Sequence, residues 1–104
     1  MPACQYHINF RQVDGAVTLE VSGELDLADA VRFQDDVRRY GDVTSGRIDL
    51  DLTDVSFLDS SGMQALVNAR RSLVDEGREF RVVALSPAAQ RVLHLTGLDE
   101  VLCV

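Results

Sequence analysis

Apolar residues in this chain follow two different spacings, and the change from one to the other recurs along the sequence. A spacing of two is typical of a strand with one buried face, whereas a spacing of three or four is typical of an amphipathic helix. The spacing of two runs from Tyr6 to Phe10 and again from Val17 to Val21. Because Asp14-Gly15 between them favours a tight turn, the sequence predicts an opening antiparallel hairpin.

The first change of spacing follows this hairpin. Asp26 is placed to cap a helix, because its short polar side chain can accept hydrogen bonds from the first N–H groups. Gly41 is placed to end the same helix. The apolar residues between them fall at helical spacing: Ala30, Phe33, Val37 and Tyr40.

A second unit of strand and helix occupies the middle of the chain. Alternation from Ile48 to Leu52 predicts a strand that runs on into Phe57-Leu58. The apolar residues that follow return to helical spacing, which predicts a second helix that ends near Asp75-Glu76-Gly77. These residues are Met63, Leu66, Val67, Leu73 and Val74.

A third unit completes the pattern. The short apolar run from Phe80 to Leu85 is typical of a strand buried in a partly parallel sheet. Ser86 is placed to cap a third helix, with Pro87 at its first position and Gly97 just past its end. We expect Val101 to Val104 to form a short last strand.

The order of these elements predicts an α/β fold. Its sheet should be small and mixed, antiparallel in the N-terminal hairpin and parallel elsewhere, with about three helices mainly on one face. A chain of 104 residues can bury one hydrophobic core but has no room for a second. We therefore expect residues 1–104 to form a single domain.

Charge excludes several functions. The formal net charge of -7 repels phosphate backbones and anionic lipids, so nucleic acid is not expected as a partner. All ten basic residues are arginine, which excludes a lysine Schiff base, a lysine general base and a phosphate-loop lysine.

The two ends of the chain bear on its location. The N-terminus lacks a basic region followed by an apolar run, and no apolar stretch approaches membrane-spanning length. We expect a cytoplasmic protein without direct membrane insertion. Cys4 and Cys103 have neither metal-type nor redox-type spacing and are interpreted as reduced thiols, with a disulfide between the termini as the alternative.

The segment Asp59-Ser60-Ser61-Gly62 stands where a buried strand hands over to a helix. A serine there can cap the helix by accepting from unpaired N–H groups, which accounts for one of the two hydroxyls. The positive end of the helix can also hold a phosphate, either from a ligand or on a serine. Gly62 costs about 1 kcal/mol relative to alanine unless something approaches the backbone closely. Spacing alone leaves capping and phosphate binding both open.

With these residues in view, the chain resembles the STAS family of anti-sigma-factor antagonists over nearly its whole length. The most specific segment runs from Asp51 to Gly62, DLTDVSFLDSSG. Weaker segments occur in the right order: Gly23-Glu24-Leu25-Asp26 before the first helix, and Leu85-Ser86-Pro87 with Leu95-Thr96-Gly97-Leu98 around the third.

The resemblance implies a regulator that is not an enzyme and has no catalytic residue, cofactor or metal of its own. Its unphosphorylated form would bind an anti-sigma factor with serine kinase activity and so release a sigma factor. The kinase would phosphorylate Ser60, and a serine phosphatase of the metal-dependent type would remove the phosphate. ATP and metal belong to these partners. The implied partner-binding residues are Asp26, Asp59, Ser60, Ser61, Gly62 and Met63. Met63 can either border the partner surface or contact the core, and we favour the core because it begins the apolar stripe of the second helix.

The resemblance also leaves a second function open. Many family members continue into a further C-terminal helix, which we expect to be short or absent here. STAS domains also occur in transporter assemblies, so a subunit of a lipid- or anion-transporter assembly is the alternative.

The effect of a phosphate on Ser60 can be argued from electrostatics alone. The group adds about -1.5 to -2 charge, which a helix N-terminus favours, so we expect the fold to tolerate it. An interface would not, because a dianion beside Asp59 must be desolvated against a partner shaped for a hydroxyl.

An enzymatic alternative rests on Asp49-Leu50-Asp51-Leu52-Thr53, which fits the D-x-D-x-T pattern of haloacid-dehalogenase-like phosphatases. There the first aspartate attacks phosphorus and the second acts as acid and base while carboxylates hold magnesium. Such enzymes need a downstream lysine, and this chain has none. A polar sheet face is the simpler interpretation. His7 and His94 lack ligand-spaced neighbours and are interpreted as packing or surface residues.

Overall fold

The computed structural model describes residues 5–102, so Cys4 and Cys103 lie outside the described residues. Within that range the chain forms four strands and four helices. In chain order these are β1 (His7–Val13), β2 (Ala16–Leu25), α1 (Leu27–Gly41), β3 (Ile48–Leu58), α2 (Ser60–Asp75), β4 (Phe80–Leu85), α3 (Pro87–Thr96) and α4 (Asp99–Leu102).

The four strands lie in the order β1-β2-β3-β4. β1 and β2 are antiparallel, whereas β3 runs parallel to both β2 and β4. The turn residues Asp14 and Gly15 both have positive φ, 52° and 79°, as a two-residue hairpin turn requires. The predicted mixed sheet and its opening hairpin are confirmed.

The core lies on one face of this sheet. Alternate residues from Val17 to Val21 in β2 and from Ile48 to Leu52 in β3 are buried, and the polar residues between them are partly exposed. α1, α2 and α3 pack on the buried side, supplying Phe33, Leu66 and Leu93 to the core. The prediction that the helices cover mainly one face is confirmed.

The predicted helix boundaries for α1 and α3 are also confirmed. Asp26 caps α1, and its Oδ1 accepts from the Ala28 N–H at 3.0 Å. Ser86 caps α3, and its Oγ accepts from the Ala89 N–H at 3.0 Å. Gly97 follows α3 with φ of 76°.

The prediction of a last strand is wrong where the structure describes it, because Val101 and Leu102 belong to α4. Both backbone N–H groups donate to the Leu98 carbonyl oxygen, at 3.1 and 2.9 Å, which closes a helical turn. Leu102 is buried in the core, and this burial holds the turn in place. The remaining residues of the predicted strand, 103–104, lie outside the described range.

A buried polar pair joins Tyr6, the residue before β1, to α1, and no sequence pattern predicted it. The Tyr6 hydroxyl donates to Asp36 Oδ2 at 2.7 Å, and Arg39 Nη2 donates to Asp36 Oδ1 at 2.6 Å. Burial, followed by the bond to Asp36, raises the pKa of Tyr6 well above its usual range. The pair therefore fixes the first strand against the helix layer.

Candidate functional site

Two helices begin side by side at the carboxyl ends of β2 and β3. The last residues of these parallel strands, Leu25 and Leu58, are register partners. The next residue after each, Asp26 and Asp59, is the N-cap of the following helix. We call this end of the sheet, with the first turns of α1 and α2, the carboxyl edge.

Asp59, and not a serine, caps α2. Its Oδ1 accepts from the Gly62 N–H at 2.9 Å, so the hypothesis that a serine hydroxyl caps the helix is wrong. Ser60 and Ser61 are instead the first two helical residues. The Ser60 side chain is exposed and that of Ser61 is half-buried. A hydroxyl that the cap does not need is thereby presented to solvent at the positive end of a helix.

Gly62 is needed for packing within the chain. A Cβ atom at this position would overlap the Leu25 carbonyl oxygen and would lie 2.6 Å from Leu58 Cδ1. Gly62 is buried, and the group that approaches its backbone closely is the end of β2. Its small size therefore holds Ser60 next to the first turn of α1.

Met63 connects this edge to α3. It is half-buried and packs against the core, as predicted from its place in the apolar stripe of α2. The Thr96 hydroxyl lies 3.8 Å from Met63 Sδ, so the end of α3 reaches the first turn of α2. The sequence contains no signal for this contact, because residues 33 positions apart meet through tertiary packing.

The carboxyl edge is rich in acidic residues, of which one faces an arginine, Arg32. Residues 22–31 and 52–69 include five acidic residues and no arginine. Within residues 5–102, four of these five make no ion pair, whereas Asp29 lies 4.0 Å from Arg32 Nη1. The four are Glu24, Asp26, Asp54 and Asp59.

The comparison with known proteins identifies the family. A model of the STAS domain matches residues 7–103 of the chain. The chain belongs to the STAS domain family. The resemblance inferred from the serine turn and its flanking segments is thus confirmed.

Two relatives within this family are described as anti-sigma factor antagonists. The anti-sigma-F factor antagonist RsfB of Mycobacterium tuberculosis is 30% identical over 87 residues, which cover 84% of this chain and 70% of that protein. The crystal structure of an anti-sigma factor antagonist from Mycobacterium paratuberculosis superposes with a TM-score of 0.80 at 32% identity, covering 94% of this chain and 83% of that one.

A more distant structure shows the same fold. SpoIIAA, a Bacillus cell fate determinant solved in its phosphorylated form, matches with a TM-score of 0.65 at 21% identity, covering 90% of this chain and 86% of that one.

The two aspartates of the D-x-D-x-T pattern make hydrogen bonds within this STAS domain. Asp49 Oδ1 accepts from Arg47 Nε at 2.9 Å and from Arg81 Nε at 3.2 Å. Asp51 Oδ1 accepts from the backbone N–H and the hydroxyl of Thr53 at 2.9 and 2.6 Å. Both carboxylates therefore serve the polar sheet face, and the described residues include no group of three or more side chains that could hold a metal ion.

The histidines have local partners. His7 Nε2 lies 3.0 Å from Asn9 Oδ1, and His94 Nδ1 lies 3.0 Å from Asp99 Oδ2. Both contacts are exposed, in line with their interpretation as surface residues.

In the part of the chain that the structure describes, no helix is long and apolar enough to cross a membrane.

Proposed function

We propose that this STAS domain is an anti-sigma factor antagonist whose partner binding is switched off by phosphorylation of Ser60. The observation that carries the proposal is the exposed Ser60 hydroxyl at the start of α2, which is not required for capping. The relatives of this chain support the proposal, because proteins similar to it over most of its length are described as anti-sigma factor antagonists.

The local electrostatics suit a phosphate on this hydroxyl. Ser60 lies at the N-terminus of a helix of 16 residues, where free N–H groups and the helix dipole favour an anion. Asp59 disfavours the phosphate, because its carboxylate repels the added charge. The fold can hold the phosphate, while any partner facing it must desolvate two neighbouring anions.

The chemistry of the switch is assigned to other proteins. In this proposal the anti-sigma factor supplies serine kinase activity and ATP, and a metal-dependent serine phosphatase restores the hydroxyl. The STAS domain itself contributes binding and no turnover. Both partners act in the cytoplasm, which is where we place this chain.

The partner-binding surface in this proposal is the carboxyl edge. Asp26, Asp59, Ser60 and Ser61 are at least partly accessible there, and Met63 borders them. Gly62 is covered by Leu25 and Leu58, so we assign it the role of positioning the first turn of α2.

A kinase assay tests this function. The purified protein is incubated with Mg-ATP and, one at a time, with the kinase-type anti-sigma factors of the same genome, and any phosphate is located by mass spectrometry. We expect modification of Ser60 in the wild type and in Ser61→Ala, and none in Ser60→Ala. Absence of phosphate with every kinase, or phosphate on Ser61, would contradict the proposal.

A further inference from the structure

Three large apolar side chains are exposed around the carboxyl edge. Leu27, Phe57 and Leu95 have exposed fractions of 75%, 46% and 77%. We call them the apolar trio. Isolated exposed apolar residues are ordinary on a protein surface, whereas a contiguous group of them indicates an interaction site.

The three members of the trio come from three different elements that reach the carboxyl edge. Leu27 is the first residue of α1, directly after its N-cap. Phe57 is next to Leu58 at the end of β3 and pairs with Glu24. Leu95 adjoins Thr96, whose hydroxyl reaches Met63 in the first turn of α2.

Packing within the chain does not account for Leu27 and Leu95. With about three quarters of each side chain exposed, neither buries enough apolar surface to contribute much to folding. Both are helical residues at positions where a polar side chain would serve the fold as well.

The charge of the residues around the apolar trio indicates the charge of the partner's surface. Glu24, Asp26, Asp54 and Asp59 lie in the segments that carry Leu27 and Phe57 and make no ion pair in residues 5–102, whereas Arg91 lies one turn before Leu95 in α3. A surface of this sign is complementary to a basic one, and such complementarity steers association and excludes other partners.

We propose that the apolar trio docks into apolar pockets of the anti-sigma factor, that the rim of those pockets is basic, and that Leu27 and Leu95 determine affinity and partner choice. This inference rests on the proposed function and adds to it the chemistry of the partner's surface. It also gives the phosphate a second effect, since a dianion on Ser60 prevents the desolvation that burying the trio requires.

Substitutions of the exposed leucines test the proposal with matched controls. Leu27→Ser and Leu95→Ser remove trio members, whereas Val43→Ser removes a valine that is 58% exposed after the far end of α1. Binding to the anti-sigma factor that phosphorylates Ser60 is measured by calorimetry, and unfolding by urea. We expect each leucine variant to bind roughly 10- to 100-fold more weakly, and Val43→Ser to bind like the wild type, all with wild-type stability.

The basic rim is tested separately. Glu24→Gln removes an exposed carboxylate at the carboxyl edge, whereas Asp75→Asn removes one at the last residue of α2. We expect Glu24→Gln to slow association and to reduce its dependence on salt, and Asp75→Asn to leave both unchanged.

The outcomes separate this inference from the function on which it rests. Leucine variants that bind within twofold of the wild type would overturn the role of the trio, and an affinity that rises with salt would overturn the basic rim. Either result would leave phosphorylation of Ser60 standing. A wild-type protein that neither binds nor is phosphorylated by any kinase-type anti-sigma factor contradicts both.

Discussion

The two ends of the parallel strands are built differently. At the amino end, Arg78 donates from Nη1 to the Gly41 carbonyl at 2.7 Å and from Nε and Nη2 to the Gly46 carbonyl at 3.1 and 2.8 Å. Arg38 ties α1 to α2 through Ser72 and Glu76. At the carboxyl edge, Glu24, Asp26, Asp54 and Asp59 make no ion pair within residues 5–102, and of the five acidic residues there only Asp29 faces an arginine, Arg32. Arginine side chains join the elements at the amino end, whereas most acidic side chains at the carboxyl edge remain available to a partner.

The backbone is packed tightly at both ends. A Cβ atom on Gly46 would overlap the Gly15 carbonyl oxygen, just as one on Gly62 would overlap that of Leu25. The difference between the ends therefore lies in side-chain pairing and exposure, and not in looseness of the fold. A charge added at Ser60 lies beside closely packed backbone, so its effect should fall on binding.

The largest effect on stability is expected from Arg78→Ala. The variant leaves the Gly41 and Gly46 carbonyls without their charged donor, which should lower the free energy of unfolding by about 2–3 kcal/mol. Phosphorylation of Ser60 should continue at the wild-type rate in the folded fraction. Urea unfolding and the kinase assay measure the two effects.

Arg71→Ala is the control, because Arg71 is an exposed residue of α2 and should change stability by less than about 0.5 kcal/mol. If Arg78→Ala lost phosphorylation while it remained folded, the separation between the two ends would be contradicted.

A smaller effect is expected from alkaline pH through Tyr6. Its pKa is raised in the folded protein, so the unfolded chain loses this proton first as the pH rises. The stability contributed by Tyr6 is complete below about pH 10 and should fall by about 1.4 kcal/mol per pH unit above it. Urea unfolding between pH 9 and 11 checks the slope.

Tyr6→Phe removes the titrating hydroxyl and should reduce this slope, at a cost in stability of about 1–3 kcal/mol at neutral pH because Asp36 loses a donor. An unchanged slope in the variant would show that another group is responsible.

The strand and helix pattern was predictable because each element has a clear apolar spacing and is bounded by residues that favour a turn or a helix cap. Asp14-Gly15 fixes the hairpin and Ser86-Pro87 starts α3, and both signals act within a few residues. The last turn was not predictable in this way, because Val101 and Leu102 lie in a short apolar run without a period. Burial of Leu102 decided its conformation.

The candidate site was predictable in its residues but less so in their roles. Asp26 and Asp59 are 33 positions apart, and only parallel pairing of β2 with β3 brings them to one edge. Both an aspartate and a serine can cap α2, and the geometry selects Asp59. The hydrogen bonds from Arg78 to the Gly41 and Gly46 carbonyls were not predictable. Every residue has a backbone carbonyl, so the sequence does not show which of them a side chain reaches.

Charge on Ser60 is expected to act on the interface and not on the fold. The most direct test compares Ser60→Asp with the wild type in urea unfolding and in binding to the anti-sigma factor that phosphorylates Ser60. We predict a free energy of unfolding within about 0.5 kcal/mol of the wild type and an affinity at least about 100-fold lower, equivalent to about 2.7 kcal/mol. A variant that is destabilised by several kcal/mol, or that binds like the wild type, would contradict the account.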